Sequence, residues 1–359
     1  MVMRMRECLA LGLLVVLLTG CAAQEPRRFA FNEGAHGIPR LWPEPPDVPR
    51  YAWSGQITGE ANLVSKKEPG PGFGAALRWL AGLLAGDTPP VILQRPIAGV
   101  VDANGRILIT DTSRQGVFVF DPTAGDLQIW ERADMLRGFQ TPAGIATCEE
   151  GVWVADADLG FVARLDLMGN PVARVGEGLL KRPTGVAWDG ANQRLYVADT
   201  HAHNIQVFNA AGKLLETLGE RGEAPGQFNY PTHLALRNGE LHVADTLNGR
   251  VQVLPLAGGA PRIIGQRGLN VGDLVRPKGV SVDSEGNVYV VESYYDHLLV
   301  YNRQGEFLMP IGGAGQEEGK FYLPAGVWID PHDQVYVADM FNGRIMVFQF
   351  LGGDEEGAN

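Results

Sequence analysis

The chain has 359 residues and a formal net charge of −11 at pH 7. Hydrophobic residues make up 45% of it and charged residues 20%, with 47 glycines, which is typical of a folded protein and not of a disordered chain. A net negative surface repels nucleic acids and anionic lipid headgroups. We therefore expect no nucleic-acid partner.

The first residues carry the pattern of a secretory signal. Arg4 and Arg6 precede an apolar run, Leu9–Leu18, that is too short for a transmembrane helix. The string "LTGC" that ends at Cys21 resembles the lipobox of bacterial lipoproteins, in which the cysteine becomes the acylated N-terminal residue. The resemblance implies that residues 1–20 are a cleaved signal peptide and that Cys21 is the site of lipid attachment.

A lipoprotein anchor predicts a location in the bacterial cell envelope. Each buried CH₂ of an acyl chain contributes ~0.8 kcal/mol, so several chains would tether the protein to a membrane without spanning it. Ala22 stands where Asp favours retention in the inner membrane of many Gram-negative bacteria. We therefore expect an outer-membrane lipoprotein that faces the periplasm.

Residues 21–50 are rich in proline, lack periodicity and are predicted to form a linker behind the lipidated cysteine. Within this linker Trp42 either docks on the following domain or is solvated, and the sequence leaves both open. The run that begins at Tyr51 is predicted to be a β-strand that completes the last repeat of the chain. A second run that begins at Val91 is the alternative closing strand.

Residues 73–85 have apolar side chains at helical spacing and are predicted to form a short helical insertion. The helix either packs on the following domain or contacts a partner or a membrane surface, because a face this apolar marks an interaction site if it is exposed. Its candidate contact residues are Trp79, Leu80 and Leu83.

Six similar strings follow, each an apolar run that ends in an acidic residue; "LYVADTHAHNIQVF" from Leu195 is one of them. The acidic residues recur every 43 to 47 residues, at Asp111, Asp156, Asp199, Asp245, Glu292 and Asp339. A repeat of this length with strand-like composition predicts the blades of a β-propeller. Each acidic residue is interpreted as structural, because such a carboxylate accepts N–H groups of the turn that follows the strand.

About 15 residues before each acidic residue stands a short string such as "RPTGVAW", which we call the proline motif. Its proline opens a strand, and its glycine, present in most copies, allows close approach of backbones near an axis. This motif, the acidic string and two further apolar runs make four strands per repeat, as a propeller blade requires. The sequence therefore predicts an all-β fold, a six-bladed β-propeller over residues 51–353, followed by an acidic tail over 354–359.

Two of the repeats, "VADTLNGRVQVL" from Val243 and "VADMFNGRIMVF" from Val337, are similar to NHL repeats. The resemblance covers roughly residues 95–350 and implies the same six-bladed propeller. The second and fifth repeats depart most from the pattern, since "VADADLGFVARL" lacks its Asn and Arg and "VVESYYDHLLVY" has Glu in place of Asp.

In a propeller of this kind the proline motifs and the turns after the acidic residues share one face. We expect this face to bind a protein or peptide partner in the cell envelope, with the chain itself a monomeric interaction platform. The exposed tyrosine pair of the fifth repeat has the makeup of a binding hot spot. The candidate partner-binding residues are Tyr294, Tyr295, His297, Phe341, His201, His203 and His233.

The alternative function is a propeller enzyme, a lyase or hydrolase, or a small-ligand-binding protein that uses the axial pocket. A relative of the NHL family, the peptide α-amidating lyase, holds zinc with three histidines from separate blades. Here only His233 stands near the axis, and a zinc site needs three such ligands. The sequence contains no Gly-x-Ser-x-Gly, phosphate-loop or His-Glu-x-x-His motif. We therefore expect no metal, no cofactor and no catalytic residue.

Overall fold

The computed structural model describes residues 27–32, 40–65 and 89–352. In these residues six antiparallel sheets are arranged as the blades of a β-propeller, and their innermost strands contact one another in a closed ring. This confirms the predicted all-β fold and its six blades. The signal peptide with Cys21, the insertion with Trp79, Leu80 and Leu83, and the acidic tail lie outside the described residues.

Blades one to three each contain four consecutive strands, as the repeat pattern predicts. The strands of blade one are β5 Pro96–Val101, β6 Ile107–Asp111, β7 Gly116–Asp121 and β8 Asp126–Trp130. Those of blade two are β9 Pro142–Cys148, β10 Gly151–Asp156, β11 Phe161–Asp166 and β12 Pro171–Val175. Those of blade three are β13 Pro183–Asp189, β14 Arg194–Asp199, β15 Asn204–Asn209 and β16 Leu214–Leu218.

Blades four and five repeat this arrangement, with a 3₁₀ turn, Thr246–Asn248, after the second strand of blade four. The strands of blade four are β17 Pro231–Arg237, β18 Glu240–Asp245, β19 Arg250–Pro255 and β20 Arg262–Ile264. Those of blade five are β21 Pro277–Val282, β22 Val288–Glu292, β23 His297–Tyr301 and β24 Phe307–Gly312.

Blade six joins the two ends of the chain. Its C-terminal strands are β25 Val327–Ile329, β26 Gln334–Asp339 and β27 Arg344–Phe350, with a 3₁₀ turn, Met340–Asn342, after β26. Its outer strands come from the N-terminal part of the chain, β3 Tyr51–Ile57 and β2 Leu41–Trp42. A separate two-stranded sheet pairs β1 Arg27–Phe29 with β4 Leu63–Ser65, which follows a 3₁₀ turn, Glu60–Asn62.

The strand β3 closes the ring, as predicted for the run that begins at Tyr51. It pairs antiparallel with β27, so that Tyr51 lies opposite Phe350 and Ile57 opposite Ile345. The alternative run at Val91 makes only an isolated bridge through Ile92. Pairing β27 removes a free sheet edge, which would otherwise invite aggregation.

The linker prediction for residues 21–50 is wrong where the structure describes these residues. β1 and β2 are both hydrogen bonded to other strands, and the ring of Trp42 packs edge-to-face on Phe348 with 5.4 Å between centroids. The alternative in which Trp42 docks on the propeller is therefore the correct one. The two strands were not predicted because they are short, lie in a proline-rich segment and pair with other strands outside it.

Glycines near the axis allow the innermost strands to approach one another. A Cβ atom on Gly144 would lie 2.2 Å from the carbonyl oxygen of Thr184, and one on Gly185 would lie 2.8 Å from the Cα atom of His233. Either contact is too short for a real side chain. The glycines of the proline motifs therefore set the spacing of the blades, as the sequence pattern indicates.

The closing strand is also tied to blade five by a buried hydrogen-bond chain. The hydroxyl of Tyr51 lies 2.9 Å from that of Tyr289, which donates to Oδ2 of Asp283 at 2.9 Å. We expect Tyr51→Phe to lower the free energy of unfolding by about 1 kcal/mol, because it removes one buried hydrogen bond and no packing volume. Urea denaturation measures the change. Tyr322→Phe, at a half-exposed tyrosine, is the control, and equal losses in the two variants would contradict this role for Tyr51.

Candidate functional site

The propeller has one face that carries most of the candidate residues. In blade one, Pro96 at the start of the first strand lies opposite Asp111 at the end of the second strand, and blades two to six keep the same orientation. The turns after the acidic residues and the loops between blades therefore emerge on the same side. We call this side the turn face.

Each acidic residue organises the turn face through backbone N–H groups. One oxygen of Asp111 accepts the N–H groups of Ser113 and Arg114 in the following turn, both at 3.0 Å. The other oxygen accepts those of Gln94 and Arg95 in the loop that enters the blade, at 2.6 and 3.0 Å. The carboxylate thus holds the turn and the entering loop together, a contact between distant segments that sequence reasoning did not anticipate.

In blades four and six an arginine takes over part of this network. Arg250 donates through Nε to Oδ2 of Asp245 at 2.8 Å, and Arg344 donates in the same way to Asp339 at 2.7 Å. The guanidinium of Arg344 also donates to the carbonyl oxygens of residues 317 and 320 in the loop that enters blade six. Asn248 and Asn342 donate in the same way to the carbonyl oxygens of residues 222 and 315, so in these two blades the Asn and Arg of the NHL pattern hold the loop that precedes the blade.

Glu292 performs the same task in blade five without an arginine. Its carboxylate is buried and accepts the N–H groups of Val275, Arg276 and Tyr294 at 2.8 to 3.0 Å. Burial raises the pKa of this carboxyl, and the backbone N–H groups that it accepts and the nearby Arg276 offset part of that effect. The substitution of Glu for Asp leaves the turn intact.

The tyrosine pair of blade five and an aromatic pair of blade six lie on the turn face. Tyr294 is 55% exposed and packs edge-to-face on Tyr295 with 4.9 Å between centroids. Phe341 is 46% exposed and packs on Tyr322 at 5.5 Å, while the guanidinium of Arg95 lies 5.0 Å from the Phe341 centroid. The predicted placement of Tyr294, Tyr295 and Phe341 on this face is what the structure shows.

Two residues that the sequence analysis did not select enlarge this surface. Leu269 and Val271 are 79% and 71% exposed in the loop before blade five. Together with Tyr295 and His297 they line a groove of about 260 Å³. We define the apolar patch as Leu269, Val271, Tyr294, Tyr295, Tyr322 and Phe341. Leu269 and Val271 could have been found in the sequence, because they are apolar residues in a loop between two predicted blades.

His203 is buried, although the sequence analysis placed it among the exposed residues of the partner-binding face. It is 8% exposed, adopts left-handed backbone geometry with a φ of 59°, and its Nδ1 accepts the N–H of Tyr230 at 3.2 Å. Its ring packs edge-to-face on that of Tyr230, and burial lowers its pKa. In blade four Oδ2 of Asp245 is already bonded to Asn248 and Arg250. The N–H of Tyr230 in the entering loop is therefore accepted by His203 and not by Asp245. The neighbouring His201 is exposed on the turn face.

His233 lies apart from the apolar patch, at the axis. It lines a cavity of about 250 Å³ at the turn-face end of the axis and a second cavity on the opposite side. Desolvation lowers the pKa of His233 to about 4, so the ring is neutral at pH 7. The first cavity is also lined by Lys278, which the sequence analysis missed. The sequence signal for Lys278 was that it is the one charged residue directly after the proline among the six proline motifs.

The described part of the chain has neither a group of metal ligands nor a helix that could span a membrane. Across residues 27–32, 40–65 and 89–352, no three His, Cys, Asp or Glu side chains are grouped so that they could hold a metal ion. The same ranges contain no helix with the length and apolar character needed to cross a membrane.

Two family models match parts of the chain. Residues 180–208 match the NHL repeat, and residues 276–357 match the model described as 6-bladed beta-propeller. The fold is a six-bladed propeller of the NHL type. The NHL match falls in blade three, and the match to the six-bladed propeller model falls in blades five and six.

Among curated relatives, Protein brain tumor of Drosophila melanogaster is 26% identical over 132 residues, or 37% of this chain and 12% of that protein. Human NHL repeat-containing protein 2 is 30% identical over 137 residues, or 29% of this chain and 19% of that protein. The chain therefore spans less than a fifth of the length of either relative.

Solved structures with this fold include proteins of different kinds. A protein of unknown function from Bacteroides thetaiotaomicron has a TM-score of 0.59 at 15% identity, covering 74% of this chain and 71% of its own. Streptogramin B lyase has a TM-score of 0.54 at 13% identity, and the match covers 87% of this chain and 97% of the lyase. A chain of a nidogen/laminin complex has a TM-score of 0.51 at 17% identity, and the match covers 68% of this chain and 84% of that chain. At these identities the similarity concerns the fold alone and does not separate enzymes from binding proteins.

The buried ion pair of blade four provides a test of the structural role of the acidic residues. Asp245→Asn should lower the free energy of unfolding by about 3 to 5 kcal/mol, because it leaves the Arg250 guanidinium without its counter-charge. Denaturant unfolding measures the loss. The double variant Asp245→Asn/Arg250→Met should recover part of it. A double variant less stable than Asp245→Asn alone would contradict the ion-pair interpretation.

Proposed function

We propose that this protein is a lipid-anchored interaction platform of the bacterial cell envelope that binds a protein or peptide partner on its turn face. The observation that carries the proposal is the apolar patch. Five of its six side chains are exposed on one face of blades five and six, and the sixth, Tyr295, is partly buried against Tyr294. Exposed apolar patches on soluble domains typically mark interaction sites.

The patch has the composition of an interface centre. Tyrosine and phenylalanine supply large contact areas at low entropic cost, and such residues dominate binding energies at protein interfaces. Leu269 and Val271 border a groove beside Tyr295 that suits an apolar side chain of a partner. The Arg95 guanidinium above Phe341 adds a polar rim.

The loops that carry the patch are held in place before any partner binds. The N–H of Leu323 donates to Oδ1 of Asp296 at 2.6 Å, and the N–H of Phe341 donates to the carbonyl oxygen of Tyr322 at 3.2 Å. The N–H of Tyr294 donates to Glu292. A surface that is already ordered loses less entropy on binding, which favours affinity.

The anchor and the location rest on the sequence of the N-terminal segment. The lipobox-like string that ends at Cys21 supports a lipidated N-terminus, and Ala22 supports sorting to the outer membrane. A propeller tethered in this way would present its turn face to partners in the periplasm. The location therefore stands as part of the proposal.

Replacement of the tyrosine pair tests the partner-binding face. Tyr294→Ser/Tyr295→Ser should weaken partner binding by ~2 kcal/mol or more, because the interface loses its aromatic contact area. The partner is first captured with the wild-type protein from solubilised envelopes and identified. Its affinity for each purified variant is then measured by biolayer interferometry.

The matched control is Leu214→Ser/Leu215→Ser, at two exposed leucines on the outer strand β16 of blade three. This variant should bind as tightly as the wild type, and circular dichroism should show both variants folded. If the tyrosine variant is folded and keeps its full affinity, the apolar patch is not the binding face.

Replacement of Cys21 tests the anchor. Cys21→Ser should give an unprocessed or soluble protein, because no thiol is left for acylation. Membrane fractionation and incorporation of a labelled fatty acid measure the effect. Cys148→Ser is the control and should remain lipidated. Continued labelling of the Cys21→Ser protein would show that the lipoprotein assignment is wrong.

A further inference from the structure

The axial cavity at the turn-face end of the propeller has an unusual lining. Its apolar walls come mostly from small side chains on several blades, and its charged residues are Arg182 and Lys278. Among the residues that the structure describes, no Asp or Glu lines it. The remaining side chains that line it are alanines, threonines, Ile97 and His233.

Lys278 breaks the internal symmetry of the ring at this cavity. In the other five blades an uncharged residue follows the proline of the proline motif, namely Ile97, Ala143, Thr184, Thr232 or Ala325. Lys278 is half-buried in strand β21. Within residues 27–32, 40–65 and 89–352, its ammonium group has no hydrogen bond or ion pair, although buried cations are normally paired.

The electrostatic surroundings make this lysine an uncompensated positive charge. Burial, Arg276 and Arg95 all lower the pKa of Lys278. No carboxylate of the described chain offsets these effects. An unpaired charge inside a cavity reduces the stability of the fold, so its presence there indicates a functional site.

The other polar groups at the cavity are already engaged or neutral. Arg182 donates to Oδ1 of Asp158 at 2.7 Å. The hydroxyl of Thr232 donates to the carbonyl oxygen of residue 278 at 2.9 Å, and that of Thr200 to the carbonyl oxygen of residue 231 at 2.7 Å. The ring of His233 is neutral at pH 7 and has no hydrogen bond within the described residues, so one of its nitrogens is a free donor.

We propose that this axial cavity binds the carboxylate of an organic monoanion, with the Lys278 ammonium as its counter-charge and the His233 ring as a second hydrogen-bond donor. One unpaired cation balances one negative charge, whereas a dianion such as phosphate would leave a charge uncompensated in a partly buried site. The alanine and isoleucine walls suit the apolar body of a small carboxylic acid. The proposal does not rest on the apolar patch.

Titration calorimetry with the full-length protein at neutral pH tests the proposal. The probes are butyrate, benzoate and inorganic phosphate. A short peptide with a free C-terminal carboxylate is compared with its C-terminal amide, because a carboxylate from a free acid and one from a protein partner would use the same chemistry. We expect at least one carboxylate probe to bind with one site per chain, and phosphate to bind more weakly.

Variants of Lys278 establish which group holds the anion. Lys278→Met should weaken carboxylate binding about tenfold or more, because it removes a charge-assisted hydrogen bond. Lys278→Arg should keep a larger share of the affinity. The matched control is Lys181→Met, at an exposed lysine on the same face that does not line the cavity. Lys278→Met should melt at the same temperature as the wild type or higher, because the variant loses an unpaired, half-buried charge.

The outcomes distinguish the possible ligands. Binding of the free-carboxylate peptide but of no small acid supports the site and assigns its ligand to a partner's chain terminus, while binding of butyrate or benzoate assigns it to a free acid. Absence of all carboxylate binding, tighter binding of phosphate, or equal losses in Lys278→Met and Lys181→Met would each overturn the proposal. Unchanged carboxylate affinity in Tyr294→Ser/Tyr295→Ser would show that this site is independent of the partner face.

Discussion

The acidic residue at the end of the second strand of every blade is the contact on which the rest of the turn face depends. In blade one its two oxygens reach in opposite directions, one toward the following turn and one toward the loop that enters the blade. Because the second strand sits inside the sheet, this carboxylate is buried and must be fully hydrogen bonded. The same requirement, met six times, fixes the loops that carry the apolar patch and surround the axial cavity.

Where the repeats differ, neighbouring blades compensate. Arg250 and Arg344 occupy an oxygen of Asp245 and Asp339, and in each case an N–H of the loop that enters the blade loses its usual acceptor. His203 in blade three and Asp296 in blade five provide that acceptor for the blade that follows. A histidine that looks like a surface residue in the sequence is therefore part of the contact between blades. In blades one and two, which lack this arginine, the aspartate itself accepts the N–H groups of the entering loop.

The two proposed sites arise from different departures from the repeat. The apolar patch lies in loops, where side chains are free of packing constraints and can be used for binding. The axial cavity lies where six strands crowd together, and the five other residues equivalent to Lys278 are small or uncharged. The apolar patch would hold a partner through contact area, and the axial cavity would hold a carboxylate through charge. A single partner whose terminal carboxylate enters the cavity would engage both sites.

The sequence by itself determined the blade count, the strands of each repeat and the axial glycines, because periodic residues such as Asp111 and Gly185 report requirements that every blade shares. It left the runs at Tyr51 and Val91 as two candidates for the closing strand, and the pairing of β3 with β27 selected the first. It also placed Tyr294 and Phe341 on the correct face, since strand direction follows from the repeat. Only the tertiary structure decided that Trp42 docks, that His203 is buried under Tyr230, and that Lys278 has no counter-charge within the described residues. Each of these depends on which distant segments meet, and no local pattern carries that information.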